Sequence, residues 1–300
     1  MCMPGETLSR HMKLEEGDHP MAPMISLYTL LTKDVSLQES ITLAADAGFD
    51  AVDIRMQKDG IHILPEIPAD EAADVRKMVE DAGLHVSGLT TYWEAGKVDR
   101  NEARIELDGI AAALETASIL GAPFVRISSG DYSREYDYEI HRAAFRDQIV
   151  RVAEMGAMHG IVVTPEQHGG RYIASAGQCL DMLRGLEHPN LGIVFDPGNA
   201  VSEGFERPWV QVRMLNQWIK SVHVKNRMPA EGPAEQHERL PGGNVRVNEG
   251  VLAWDEIAEE LAATGYSGYL TAEDFAEFDS LDEKLKWNAD FLRNLASKWD

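Results

Sequence analysis

The sequence predicts a single α/β domain with the (β/α)₈ topology of a TIM barrel, and three observations carry this prediction. A helix-like stretch that ends in glycine and gives way to a short β-branched strand recurs along the chain, with glycines at positions 48, 83, 121, 160 and 265. Glycine accepts the left-handed conformation that ends many helices, so each unit is helix, stop, strand. Eight strands alternate with eight helices, which fits a closed parallel barrel. No G-x-G-x-x-G motif follows the first strand, which disfavours the alternative of an open doubly wound sheet.

The elements follow one another in a regular order. The first strand is predicted in MISLYTL (24–30), and the helix over 36–48 starts with a capping box of Ser36 and Glu39. The four next strands lie in the glycine-bearing segments 46–54, 81–89, 119–127 and 158–166. Strands six and seven, in 191–196 and 219–225, lack the preceding glycine, which returns before strand eight in 263–273. The last helix is predicted over 280–298.

Two stretches interrupt this alternation. Residues 1–23 are charged and rich in Met and Pro, and they predict a flexible N-terminal arm before a catalytic barrel domain over 24–300. Residues 226–250, after the seventh strand, contain three prolines and the pair Gly242–Gly243, and predict a long irregular loop. Irregular loops of this length inside compact domains are often active-site lids, so we expect this one to enclose the active site.

The composition excludes several classes of protein. With 44% hydrophobic and 26% charged residues, the chain is an ordinary globular one rather than a disordered one. No run approaches the roughly 18 apolar residues of a membrane span, and residues 1–23 lack a signal-peptide pattern. The two cysteines, Cys2 and Cys179, form no disulfide framework, which indicates the cytoplasm. A net charge of −22 repels phosphate backbones and anionic lipids, so we expect neither a nucleic-acid nor a membrane partner.

Four consecutive predicted strands end in side chains of the kinds that bind metals: Glu166, Asp196, His223 and Glu273. Active sites of such barrels lie at the carboxyl ends of the strands. Each residue alone could be a helix cap, a surface group or a structural histidine, but coincidence on four successive strands is far less common. Three carboxylates at one barrel mouth repel each other unless a cation lies between them. Oxygen ligands with one imidazole suit a single divalent ion, Mn²⁺ first, with Mg²⁺, Co²⁺, Fe²⁺ or Zn²⁺ as alternatives.

The strand ends also carry a family resemblance. The segments PEQHGG, FDPGNA, VHVKN and YLTAED resemble the signature strand ends of the xylose-isomerase-like sugar phosphate isomerase/epimerase superfamily, over roughly residues 24–296. That group includes ketose 3-epimerases, hydroxypyruvate isomerases, inosose dehydratases and, more distantly, endonuclease IV. The resemblance implies that Glu166, Asp196, His223 and Glu273 are the metal ligands. It also implies that Glu166 and Glu273 act as the catalytic acid/base pair, on opposite faces of the substrate.

Two positions depart from the family pattern. Ketose 3-epimerases usually carry a histidine three residues after the aspartate of strand six, where this chain has Asn199. The frequent motif His-x-Lys-Asp on strand seven is His-x-Lys-Asn here and ends in Asn226. Both departures concern the epimerase subclass and leave the four metal ligands in place.

A metal ion flanked by carboxylates supports chemistry next to a carbonyl. A ketose binds the ion through its carbonyl and neighbouring hydroxyl oxygens, and the ion stabilises the enediolate that forms when a carboxylate removes the α-proton. Return of the proton gives an epimer or an aldose–ketose isomer, whereas loss of a β-hydroxyl makes the enzyme a lyase. We therefore predict a metal-dependent isomerase or epimerase acting on a ketose or keto-polyol. The alternative is a metal-dependent lyase or dehydratase acting on a keto-sugar or keto-inositol.

A further set of residues near the strand ends is predicted to bind the substrate, each with a structural role as its alternative: Arg126, His168, Asn199, Lys225, and Trp93 beside Tyr92. No glycine-rich phosphate cradle follows strand seven or eight, which favours an unphosphorylated sugar or polyol. A DNA-repair enzyme is disfavoured by the acidic charge and the single histidine ligand. A non-catalytic binding barrel is disfavoured by the complete ligand set. We expect a homo-oligomer, either a dimer or a tetramer.

Overall fold

The structure is a computed structural model that describes residues 21–203, 206–228 and 243–299. Parallel strands form a barrel at its centre. The strands are β1 (Met24–Tyr28), β2 (Ala51–Arg55), β3 (His85–Ala95), β4 (Phe124–Ser129), β5 (Val162–Pro165), β6 (Ile193–Phe195), β7 (Ile219–Val224), β8 (Asn226–Arg227), β9 (Asn244–Val245) and β10 (Tyr269–Ala272). Strands β1 to β7 and β10 form one eight-stranded parallel sheet, in which β10 lies between β7 and β1. Isolated parallel bridges, Val163 with Leu191 and Glu166 with Val194, join its two edges at β5 and β6. The TIM barrel predicted from the sequence is confirmed.

The helices lie between the strands as the alternation predicts. They are α1 (Leu37–Ala47), α2 (Ala69–Asp81), α3 (Arg100–Leu120), α4 (Tyr138–His159), α5 (Ala176–Leu183), α6 (Pro197–Ala200), α7 (Pro208–Leu215), α8 (Trp254–Ala263) and α9 (Leu281–Ala296). All five glycines of the predicted stops have positive φ, between 69° and 92°. The side chain of Ser36 accepts a hydrogen bond from the Glu39 amide at the start of α1. None of the described helices has the length and apolar character needed to cross a membrane.

The two sides of the strands differ sharply in polarity. Residues that face the surrounding helices are apolar and fully buried, as Ile25 and Leu27 are on β1. The alternate residues face the barrel interior, where the hydroxyls of Ser26 and Ser87 lie 2.6 Å apart. Burial of a polar group costs free energy unless the group has a hydrogen-bond partner, so a polar interior is unusual for a barrel of this kind. This interior has polar and charged side chains directly beneath the carboxyl ends of the strands.

The long segment after β7 is anchored at its base. The ends of the predicted loop pair as the antiparallel strands β8 and β9, so the expectation of an irregular loop over 226–250 is wrong there. The Asn226 amide nitrogen donates to the carbonyl oxygens of Val247 (2.7 Å) and Leu252 (2.9 Å), and its oxygen accepts from the Leu252 amide. Residues 229–242, which would form most of the predicted lid, and residues 1–20 of the predicted arm lie outside the described residues.

Candidate metal centre

The four predicted metal ligands lie together at the carboxyl ends of β5, β6, β7 and β10. Each is buried and offers one ligand atom, and these atoms all lie within 4.8 Å of one another. The amides of Glu166 and Glu273 donate to the carbonyl oxygens of Ile127 and Val224, so both residues continue the hydrogen bonding between strands. The sheet therefore fixes the backbone positions from which these two side chains project.

His223 occupies the centre of the cluster. Its Nδ1 lies 3.4 Å from Glu166 Oε1, 3.3 Å from Glu273 Oε2 and 3.9 Å from Asp196 Oδ2. The side chain is 1% exposed, yet neither ring nitrogen has a hydrogen-bond partner among the described residues. A buried imidazole without partners is unfavourable, and a divalent ion bound to Nδ1 would satisfy that atom. The donor set and the orphaned nitrogen fit a metal ion with oxygen preference.

Asp196 has a second role that links the cluster to a helix. Its Oδ1 accepts a hydrogen bond from the Asn199 amide and caps the short helix α6, while its Oδ2 faces the cluster. The Asn199 side-chain nitrogen donates to Asp196 Oδ2 (2.8 Å) and to Glu166 Oε1 (3.1 Å). Asn199 is therefore in contact with two of the four candidate ligands, at the position where ketose 3-epimerases usually carry histidine.

Two buried cations contact the same carboxylates. The Arg126 guanidinium donates twice to Glu166 Oε2, from Nε at 2.6 Å and from Nη2. The Lys225 ammonium lies 2.7 Å from both Asp196 Oδ2 and Glu273 Oε2. Arg126 and Lys225 were predicted to bind substrate, with a structural role as the alternative. In the structure, both side chains form ion pairs, as that alternative expects.

The structure does not bring His168 or Trp93 into the cluster. His168 is exposed, and its Nδ1 lies 3.0 Å from the neighbouring Gly169 carbonyl oxygen. Trp93, predicted to stack on a sugar or to pack under the loops, lies against α3, where a Cβ atom on Gly109 would be 2.3 Å from the indole ring. Trp93 therefore faces α3, whereas the neighbouring Tyr92 faces the site.

Two interior residues complete the site and were not predicted from the sequence. The Tyr28 ring stacks on His223, with centroids 5.8 Å apart, and its hydroxyl lies 2.9 Å from that of Tyr92. Asp53 of β2 is fully buried, with Oδ2 at 3.9 Å from His223 Nε2. The sequence does contain a signal for these residues, because side chains alternate between the two faces of a strand. Tyr28 therefore points into the barrel, as Ser26 does two residues earlier on β1.

Sequence comparison places the chain in a family. The profile of the xylose isomerase-like TIM barrel family matches residues 41–295. The chain belongs to this family. Among curated members of similar sequence, 3-dehydroshikimate dehydratase of Bacillus anthracis is 26% identical over 145 residues, which are 46% of this chain and 50% of that protein. The putative L-ribulose-5-phosphate 3-epimerase of Escherichia coli is 23% identical over 252 residues, or 82% of this chain and 86% of that protein.

Solved structures show the same fold. A xylose isomerase-like TIM barrel protein from Mycobacterium smegmatis, crystallised in complex with magnesium, superimposes with a TM-score of 0.73 and 18% identity, covering 92% of this chain and 98% of the other. The relatives of similar sequence thus include both a putative epimerase and a dehydratase by name.

Burial and charge set the proton affinities in this family member. Burial raises the pKa of Asp196 to about 7, although Lys225 opposes the shift. Burial also acts to raise the pKa of Glu273, but the positive charges of Lys225 and His223 outweigh it and lower that pKa to about 2. For His223, burial acts to lower the pKa, while the charge of Glu273 and the surrounding carboxylates raise it well above its usual value. Without a metal, the cluster therefore holds a proton on His223 near neutral pH, and Asp196 takes up a second proton as the pH falls below about 7.

Metal binding is expected to release those protons. Carboxylate and imidazole ligands bind in their deprotonated forms, so an arriving ion displaces the proton of His223 and, below about pH 7, also that of Asp196. The apparent affinity for Mn²⁺ should rise with pH, by about tenfold per pH unit for each proton released. Titration calorimetry in buffers of different ionisation enthalpy counts the protons. Affinity that stays constant between about pH 6 and pH 8 would contradict the expected linkage.

Proposed function

We propose that the protein is a divalent-metal-dependent isomerase or epimerase that moves a proton on the carbon next to the carbonyl of a ketose or keto-polyol. The observation that carries the proposal is the buried cluster at the barrel mouth, where two carboxylates approach His223 Nδ1 within 3.4 Å. Glu166, Asp196, His223 and Glu273 would hold the ion, with Mn²⁺ as the proposed metal. When bound, the ion supplies a Lewis acid that polarises the carbonyl.

The roles of the side chains follow from their charges and contacts. Glu166 and Glu273 both have pKa values below the usual one, because positive neighbours outweigh the effect of burial, so both are ionised and can accept a proton. In epimerisation, one ionised carboxylate removes the α-proton, and the other, which must first take up a proton from solvent, returns that proton on the opposite face. Arg126 and Lys225 supply fixed positive charge for an oxygen that becomes negative when the proton leaves. The side-chain nitrogen of Asn199 donates a hydrogen bond to both Glu166 and the cap residue Asp196, and so holds the two carboxylates relative to each other.

A dehydratase is the second candidate, and one contact favours it. Arg126 donates two hydrogen bonds to a single oxygen of Glu166, which stabilises that carboxylate and weakens it as a base. Glu273 also has a cation close by, but it shares the Lys225 ammonium with Asp196, so it is the candidate single base in this alternative. One base suffices for removal of a proton followed by loss of a β-hydroxyl. The similarity to a 3-dehydroshikimate dehydratase over 46% of the chain is consistent with this alternative.

Hydrogen exchange in D₂O tests the proposal without knowledge of the true substrate. Protein loaded with Mn²⁺ is incubated with a panel of ketoses and keto-inositols, and deuterium at carbon is detected by NMR and mass spectrometry. We expect deuterium next to the carbonyl of at least one compound, and none with chelator-treated protein. Epimer or isomer formation supports the first candidate, and an ultraviolet-absorbing enone supports the second. The absence of deuterium exchange with every compound, in protein loaded with Mn²⁺, Mg²⁺ or Co²⁺, would contradict both candidate functions.

A further inference from the structure

Asp53 is a buried carboxylate outside the four candidate ligands. It lies on β2 with 0% exposure and faces the barrel interior. Its Oδ1 accepts a hydrogen bond from the Thr90 hydroxyl at 2.8 Å, but its Oδ2 has no hydrogen-bond partner in the described part of the chain. A carboxylate in such a place is costly unless it is paired. Among the described residues, the one basic group recorded within 4.0 Å of Asp53 is His223.

The two ring nitrogens of His223 face different groups. Nδ1 is turned towards the carboxylates of Glu166 and Glu273, whereas Nε2 lies 3.9 Å from Asp53 Oδ2. Both nitrogens lack hydrogen-bond partners among the described residues. An imidazole that binds a metal through one nitrogen carries a proton on the other, and that proton needs an acceptor in a buried site. Asp53 Oδ2 is an orphaned acceptor on the correct side of the ring.

We propose that Asp53 is a positioning residue that accepts a hydrogen bond from His223 Nε2–H and so presents Nδ1 to the metal ion. The inference rests on the metal site of the proposed function and adds the residue that selects the tautomer. The separation of 3.9 Å is about 1 Å longer than a hydrogen bond, and rotation of the carboxylate about its soft terminal torsion can close it. The same rotation moves Oδ1, and the Thr90 hydroxyl can follow it by turning about its own C–O bond, while the stacked Tyr28 ring limits tilting of the imidazole.

The substitution Asp53→Asn tests this role because it preserves shape but offers an amide in place of a carboxylate. We expect its affinity for Mn²⁺, measured by competition with a chelator, to fall by about 10- to 100-fold, as is typical for loss of an outer-shell partner. Ser26→Ala is the matched control, since it removes a buried interior hydroxyl that pairs with Ser87. Its affinity should stay at the wild-type value. Thr90→Val, which keeps the carboxylate but removes its anchor, should show a smaller loss than Asp53→Asn.

A spectroscopic measurement separates positioning from a general structural effect. In protein loaded with Co²⁺, the Nε2–H proton of His223 should give a paramagnetically shifted ¹H signal in H₂O that disappears in D₂O. We expect the signal in the wild type and in Ser26→Ala, and its loss or much faster solvent exchange in Asp53→Asn. If Asp53→Asn does not fold, the same comparison is made with Thr90→Val, where faster exchange is expected.

The outcomes separate this inference from the proposed function. Wild-type protein that binds metal, together with an unchanged affinity and an unchanged signal in the Asp53→Asn and Thr90→Val variants, overturns the positioning role and leaves the metal site standing. Wild-type protein that binds no metal under metal-replete conditions overturns the proposed function, and the role of Asp53 falls with it.

Discussion

Replacement of His223 by alanine is expected to abolish the gain in thermal stability that Mn²⁺ gives the wild-type protein. A ligand that binds only the folded state adds about 2.7 kcal/mol to the free energy of unfolding when its free concentration is about 100 times Kd. Removal of the single nitrogen ligand deletes a donor at the centre of the cluster, so the loss of affinity should exceed the roughly 100-fold upper end for outer-shell partners. At the same Mn²⁺ concentration, the variant should therefore show almost no shift in Tm.

The comparison requires a histidine variant on the same barrel but away from the site. His85 is exposed at the first residue of β3, at the opposite end of the barrel, so His85→Ala should keep the full shift in Tm on addition of Mn²⁺. The metal-free His223→Ala variant should itself unfold at a lower temperature, because the protonated imidazole offsets the repulsion between the buried carboxylates. A His223→Ala protein whose Tm rises with Mn²⁺ as much as that of the wild type would show that the ion does not bind there.

The order of the strands and helices was predictable from the sequence because it depends on local signals. Five glycines in the left-handed conformation end helices at the predicted positions, and Ser36 caps α1 as predicted. Strands β6 and β7 lack the glycine signal, but they follow helical stretches in the same alternation of helix and strand. The pairing of β8 with β9 was not predictable in the same way. It depends on Asn226 bonding to residues more than twenty positions away in the chain.

The convergence of the four candidate ligands was predictable because parallel strands bring their carboxyl ends to one rim. The direction of other side chains was not, because it depends on local register. The pairing of β3 with β4 shifts between Thr90 and Glu94, so counting alternate residues along β3 fails in this stretch, and Trp93 faces α3. The ion pairs of Arg126 and Lys225 depend on distances between strands that no single segment encodes.

The substitutions Glu166→Gln and Glu273→Gln are expected to separate the two proposed reactions. Each keeps the shape of the side chain and one oxygen ligand but removes the base, and loss of a general base typically costs about 10²- to 10⁴-fold in rate. In an epimerase with two opposed carboxylates, net inversion should fall by this amount in both variants. Each variant should nevertheless exchange deuterium into one epimer, because the remaining carboxylate still serves its own face of the substrate.

A dehydratase predicts a different and unequal pattern. Arg126 holds Glu166, so Glu273 is the candidate single base, and Glu273→Gln should abolish both deuterium exchange and elimination. Glu166→Gln should retain proton removal, so deuterium exchange should persist in this variant. Because both residues are candidate metal ligands, the metal content of each variant is measured and only metal-loaded protein is compared.

The Glu166→Gln and Glu273→Gln variants are informative because the two carboxylates have different positively charged partners. Glu166 and Glu273 lie on either side of His223 Nδ1, at 3.4 Å and 3.3 Å, yet one is bound by a guanidinium and the other by an ammonium that also contacts Asp196. Similar exchange on opposite faces would mean that this difference in partners does not affect proton transfer, as two-base epimerisation requires. Exchange that depends on Glu273 alone would mean that Arg126 has removed Glu166 from the role of base. Full activity in both metal-loaded variants would exclude either carboxylate as the base and leave proton removal to another group at the mouth.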